Sequence, residues 1–193
     1  MIDEFNSDLT GWARFSDCRT MRFRLARSLT PSSLLVADGS VVVHDYTMGG
    51  RFQGVGFRSA VFCMLNPSKA DAFRPDPTVT RGMAFARRWN CQLYEAVNIE
   101  PLRSTDPKAL YSWTDSDRNH EENLQHILSA CRHATIVVAG WGTHGDYRGR
   151  GRQVRTFLAD HGIRLHHLGL TKDGHPKHPL YLKADTEPTE WRI

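Results

Sequence analysis

Four short apolar segments recur from Arg58 onward: AVFCML at 60–65, Leu93–Asn98, Thr135–Ala139 and Leu165–Leu170. Each has the length of a buried strand and is far shorter than the roughly 20 residues a membrane helix needs. Helical pattern fills the gaps. Pro77 and Thr78 open a helix through about Trp89, with Val79, Met83 and Ala86 on its inner face. Pro107 starts a short helix that Thr105 or Asp106 can cap. A longer helix spans about Asp115 to Cys131, and another Arg152 to His161. Strands separated by helices imply right-handed crossovers. The expected fold is therefore α/β, a three-layer α/β/α sandwich around a mainly parallel four-stranded sheet.

Residues 1–57 are less regular. Met21–Leu29 and Ser40–Tyr46 have strand character, and GGRFQGVGF at 49–57 is a glycine-rich connection. The expected division is an N-terminal extension, 1–57, adding strands to the sheet edge, and an α/β domain over 58–193.

Several function classes drop out early. The 193 residues are 40% hydrophobic and 24% charged, a composition that favours an ordered core over disorder. The start, MIDEFNSDLTGW, lacks the basic-then-apolar pattern of a signal peptide, so a cytoplasmic, non-membrane protein is expected. Its 4 cysteines have no CxxC spacing and its 10 histidines include no HExxH, so neither metal nor cofactor is expected. GxxxxGK[ST] and GxSxG are absent, and no GxGxxG joins the first strand to its helix. A P-loop triphosphatase, a Rossmann dehydrogenase and a serine hydrolase are disfavoured accordingly.

In open α/β sheets, ligands bind at the carboxyl ends of parallel strands. The specialised loops lie there: NPSKAD, NIEPLRSTDP, GWGTHGDYRGRG and TKDGHPKHP, one after each strand. A shared site is the economical reading. Asn66 offers a donor and an acceptor for a water or a base edge, and His178 a group for acid–base or anion-stabilising work. Ser68, Asp71, Asn98, Arg103, Trp141, His144 and His175 are candidate substrate contacts from the same loops. Trp141 or Phe73 could stack on a base. The run YRGRGRQVR at 147–155 carries Arg148, Arg150 and Arg152, expected to converge with glycine-freed backbone on phosphate.

The ordered motifs LNPSKADAFRPDPT, NIEPLRSTDP, WGTHG and LTKDGHPKHPLYL resemble an uncharacterised bacterial and phage family. In their order, LNPS, VNIEPLR, VAGWG and HPLYL also resemble the uracil-DNA glycosylase superfamily. That resemblance implies a glycosylase-like fold, with Asn66 positioning the attacking water and His178 stabilising the departing base. Leu65 stands where the superfamily's first motif has glycine. Uracil, another base or a modified pyrimidine remain open as targets.

Three functional classes follow. The first is a DNA- or nucleotide-directed enzyme that hydrolyses an N-glycosidic bond or processes a modified pyrimidine. The others are a nucleic-acid-binding module without catalysis, and a small-molecule hydrolase or transferase on the same fold.

Overall fold

Alternation along the strands decides which residues face which helical layer. The computed structural model describes residues 1–8, 10–30, 33–35, 41–43, 57–106, 108–114 and 117–192. Its strands are β1 (Ile2–Phe5), β2 (Gly11–Phe15), β3 (Arg22–Ser28), β4 (Ser33–Leu35), β5 (Val41–Val43), β6 (Ser59–Met64), β7 (Leu93–Asn98), β8 (Ile136–Ala139), β9 (Leu165–His167) and β10 (Thr189–Glu190). Among the described residues, four α-helices accompany them: α1 (Pro77–Arg88), α2 (Ala109–Ser112), α3 (Asp117–Cys131) and α4 (Arg150–Asp160).

The main sheet has eight strands in the order β1-β2-β3-β7-β6-β8-β9-β10. The β7-β6, β6-β8 and β8-β9 junctions are parallel, and the other four are antiparallel. The four expected strands pair in parallel as β7-β6-β8-β9, and the strands added at both sides make the whole sheet mixed and mostly antiparallel. The physical reason is edge protection. The meander β1-β2-β3 runs back along β7, and β10 runs back along β9, pairing backbone groups that would otherwise line exposed edges. The segment expected as a strand over Ser40–Tyr46 contributes Val41–Val43, paired with β4 in a separate two-stranded sheet. The remainder of that segment and glycine-rich residues 49–56 lie outside the described residues.

Along β6, Ala60, Phe62 and Met64 face one hydrophobic cluster, which includes Val79, Phe85 and Ala86 of α1. Val61 and Cys63 face the other, with Ile127, Leu128 and Cys131 of α3 and Val154 and Leu158 of α4. This period-two division places helices on both faces of the sheet. Burying each large side chain contributes about 1.5–3 kcal/mol. α1 begins where Asp76 Oδ1 accepts a 2.8 Å hydrogen bond from the Val79 N–H, with Pro77 just inside the cap.

One core contact is pH-sensitive. The His126 ring on α3 stacks on Phe23 with centroids 4.6 Å apart. Burial, reinforced by the charges of Arg14 and Arg24, lowers its pKa to about 4 from 6.5. The unfolded chain then binds the extra proton first as the medium acidifies. Stability is full above pH 6.5 and declines by roughly 2–3 kcal/mol as pH falls through about 4. Urea midpoints measured across that window should slope downward with acid, and His126→Phe should flatten this component of the slope.

Candidate functional site

Parallel pairing brings the ends of β6, β7, β8 and β9 to one edge, and backbone hydrogen bonds lock their loops together. Ile99 N–H bonds Met64 O at 2.9 Å, and Ser104 N–H bonds Pro67 O at 2.8 Å. Gly142 N–H bonds Pro176 O at 2.9 Å, tying the loop after β8 to the loop after β9. Gly142 takes φ +70°, which favours glycine, and a Cβ on Gly140 would stand 2.9 Å from Pro179 Cδ. The HPLY segment can therefore lie directly against the end of β8. On its other side, Arg81 of α1 donates to Leu182 O.

Between these loops and the start of α1 lies a cleft of about 780 Å³. Asn66, Ser68, Asn98, Trp141, His144 and His178 all line it. Asn66 Nδ2 faces three carbonyls, Ser104 O at 2.9 Å, Pro67 O at 3.3 Å and Leu102 O at 3.4 Å. Only the NH₂ end can meet that set, which leaves Oδ1 as the acceptor for a ligand or water. His178 Nδ1 accepts from the Leu180 N–H at 3.3 Å. The proton of the neutral ring therefore sits on Nε2, making that nitrogen a donor. Burial lowers the His178 pKa, with the Asp76 carboxylate opposing the shift, so the neutral form dominates at pH 7.

Asn98, 2% exposed at the end of β7, has an Nδ2 without a hydrogen-bond partner. Its main chain is braced from the far side, where Asn123 Nδ2 of α3 donates to Asn98 O at 2.9 Å. An unsatisfied donor of this kind is costly unless a ligand or water meets it. Arg22, also 2% exposed, is a lining residue that the sequence pattern missed. Its Nη1 donates to Ala70 O at 2.7 Å, while Nε has no partner. Desolvation lowers its pKa to about 10, with Asp76 and then Tyr94 opposing, and it remains a cation at neutral pH. MRFRLARSL carries three arginines, Arg22, Arg24 and Arg27, and nothing in that local pattern singles out Arg22.

Trp141 is 3% exposed and wedged in the core. A Cβ on Gly145 or Gly151 would approach its ring to 2.0 or 2.6 Å, and Trp191 lies 5.7 Å away. Only part of it reaches the cleft, and the exposed aromatic there is Tyr181, 83% exposed and 5.5 Å from the His178 ring. His144 Nδ1 is 2.7 Å from Tyr111 Oη, a residue outside the cleft lining.

Other expected contacts lie elsewhere. Asp71 Oδ1 caps a turn by accepting from Phe73 and Arg74 N–H, each at 2.9 Å. His175 N–H donates to Thr171 Oγ1 at 3.1 Å in the turn before the HPLY segment. Phe73 is exposed and does not line the cleft. Arg103 borders an adjoining groove. Arg148, Arg150 and Arg152 of YRGRGRQVR are not brought to the cleft. Arg148, with φ +53°, stacks 5.0 Å over Tyr147; Arg150 is buried, its Nε 3.4 Å from Glu100 Oε1; Arg152 is exposed on α4. Helix α4 starts at Arg150, so the last two are helical rather than parts of an open loop.

Fold and cleft together define a mixed α/β protein with a ligand-sized, donor-rich site at the carboxyl edge of its parallel strands. The chain belongs to the DUF1643 family, described as a protein of unknown function, whose family model matches residues 52–180. That span contains all the lining residues except Arg22, Tyr181 and Leu182. No curated protein and no solved structure matches the chain. No helix among the described residues is long and apolar enough to cross a membrane.

Proposed function

We propose that the protein is a DNA- or nucleotide-directed enzyme acting at a nucleobase, by hydrolysis of the N-glycosidic bond or by processing of a modified pyrimidine. One observation carries the reading. A single cleft holds an acceptor for water, Asn66 Oδ1, and a neutral donor for a base oxygen, His178 Nε2–H, with the unpartnered Asn98 amide beside them. The resemblance of the loop motifs to the uracil-DNA glycosylase superfamily supports the same assignment.

In hydrolysis, the water oxygen bonds to the sugar C1′ while the C1′–N bond breaks and its electron pair leaves with the base. Asn66 orients the water without taking its proton, which passes to the departing base or to solvent. His178 hydrogen-bonds the base oxygen on which negative charge builds, a transition-state contact in a partly desolvated site. Asn98 can hold the base edge by complementary hydrogen bonds, and Tyr181 offers an exposed ring to an unstacked base.

The test is product analysis. DNA strands and free nucleotides carrying uracil or modified pyrimidines are incubated with the protein. Free base is followed by mass spectrometry and abasic sites by alkaline cleavage. Release of one base class is the expected result. Intact substrate throughout, with tight DNA binding, would instead assign a binding module without catalysis.

A further inference from the structure

Beside the cleft runs a second depression, an open groove of about 520 Å³ lined by Arg19, Thr20, Ser68, Lys69 and residues 102–105. Ser68, Ser104 and Thr105 belong to both, so the groove runs directly into the cleft. Three of its lining residues are cationic and none is acidic.

The placement of these cations is built rather than incidental. The turn between β2 and β3 is stitched to the loop after β7 by Arg103 N–H to Thr20 O at 2.9 Å and Arg103 Nη1 to Arg19 O at 3.2 Å. Arg19 takes φ +59° at the turn, a conformation L-residues seldom adopt. Both guanidinium groups rest on the same aromatic ring, Arg19 at 4.7 Å and Arg103 at 4.9 Å from the Phe15 centroid. Glu4 pairs with Arg19 from the strand side, while Arg103 Nε is buried without a partner. Glu4 offsets the charge of Arg19, so the positive field left along the groove comes chiefly from Arg103 and Lys69. The positive field continues inward, because Arg103 also bears electrostatically on Arg22 in the cleft wall.

We propose that this groove carries the phosphates flanking the target nucleotide, so that the substrate is an unpaired DNA strand rather than a free nucleotide. Phosphodiester oxygens are the acceptors that guanidinium forks and an ammonium serve best, and they carry no sequence information. A base beside the groove can enter the cleft only where it is unpaired or extruded. The inference takes the cleft's nucleobase chemistry from the reading above, whereas the groove's anion chemistry stands on its own residues.

The test is fluorescence anisotropy with a labelled single-stranded oligodeoxynucleotide, titrated at several salt concentrations. Lys69 is exposed, so Lys69→Glu can be made without disturbing packing. It should weaken binding about tenfold or more and lower the salt slope by about 0.7, the value for one lost contact. The triple variant Arg19→Ala, Lys69→Ala, Arg103→Ala, checked for folding by its melting curve, should lower the slope by about 2. Arg132→Glu, an equal charge change on an exposed residue just past α3, should leave affinity within about twofold. Equal losses in Lys69→Glu and Arg132→Glu would overturn the proposal, because binding would then follow net charge. Base release from free nucleotides with no loss in Lys69→Glu would overturn the groove while sparing the nucleobase reading. Groove-dependent DNA binding without base release from any substrate would do the reverse.

Discussion

His178→Ala should reduce base release on the order of 100- to 1,000-fold, the usual effect of deleting one donor aimed at developing negative charge. The alanine variant also loses the Nδ1 acceptor for the Leu180 N–H, so lost activity alone could reflect a loosened turn. His178→Asn separates the two roles. A shorter amide oxygen can still accept from that N–H at the start of the Pro179–Tyr181 turn, but no donor remains where Nε2 stood. Near-normal melting with activity as low as in His178→Ala would place the effect in the chemistry; recovered activity would make His178 a structural cap. The kinetic split adds a second check, since a transition-state donor lowers kcat more than it raises KM. The pH profile adds a third. Burial lowers the His178 pKa, so the working neutral form persists through neutral pH, and its contribution is lost at a pH below the ordinary histidine value.

How far such a site can be read from sequence depends on whether a residue's role is local. Asn66, Asn98 and His178 each follow an apolar run or sit in a proline-framed loop, and parallel pairing alone carries those loops to one edge. Arg22 gives no such signal. It belongs to β3, whose antiparallel pairing with β7 brings its first residue to the same edge as the last residue of β7. β3 falls within the expected strand Met21–Leu29, whereas β1 and β2 were hidden for a related reason. Asp3 and Glu4 make β1 look solvated, yet Arg14 forms a two-pronged pair with Asp3 at 2.7 Å and Arg19 pairs with Glu4. Cross-strand neutralisation of this kind is invisible until the strands are paired. The arginine-rich run misleads in the opposite direction, since its composition suggests an anion cradle. Arg150 is instead buried against Glu100, which also holds His120 at 3.0 Å, so its charge serves the interior.

The largest stability effect should come from another buried charge. Arg24 of β3 and Glu95 of β7 form an ion pair whose side chains are 7% and 4% exposed, and Arg24 also lies 5.1 Å from the Trp12 ring. The pair bridges the antiparallel junction through which the whole meander joins the parallel strands. Removing one partner strands the other ion where water cannot solvate it. Glu95→Ala or Arg24→Ala should therefore cost about 3–5 kcal/mol, a large fraction of the about 5–15 kcal/mol that holds a typical domain folded. Replacing both ends together has a different outcome. In Arg24→Met/Glu95→Leu the desolvation cost disappears with the attraction, and stability should return to within about 1 kcal/mol of the parent or exceed it. Urea unfolding of the two single variants and the double completes the cycle, and a strongly non-additive result is expected. If the single losses simply add in the double variant, the ion pair is not what couples β3 to β7, and apolar packing around Trp12 and Ala26 must hold that junction instead.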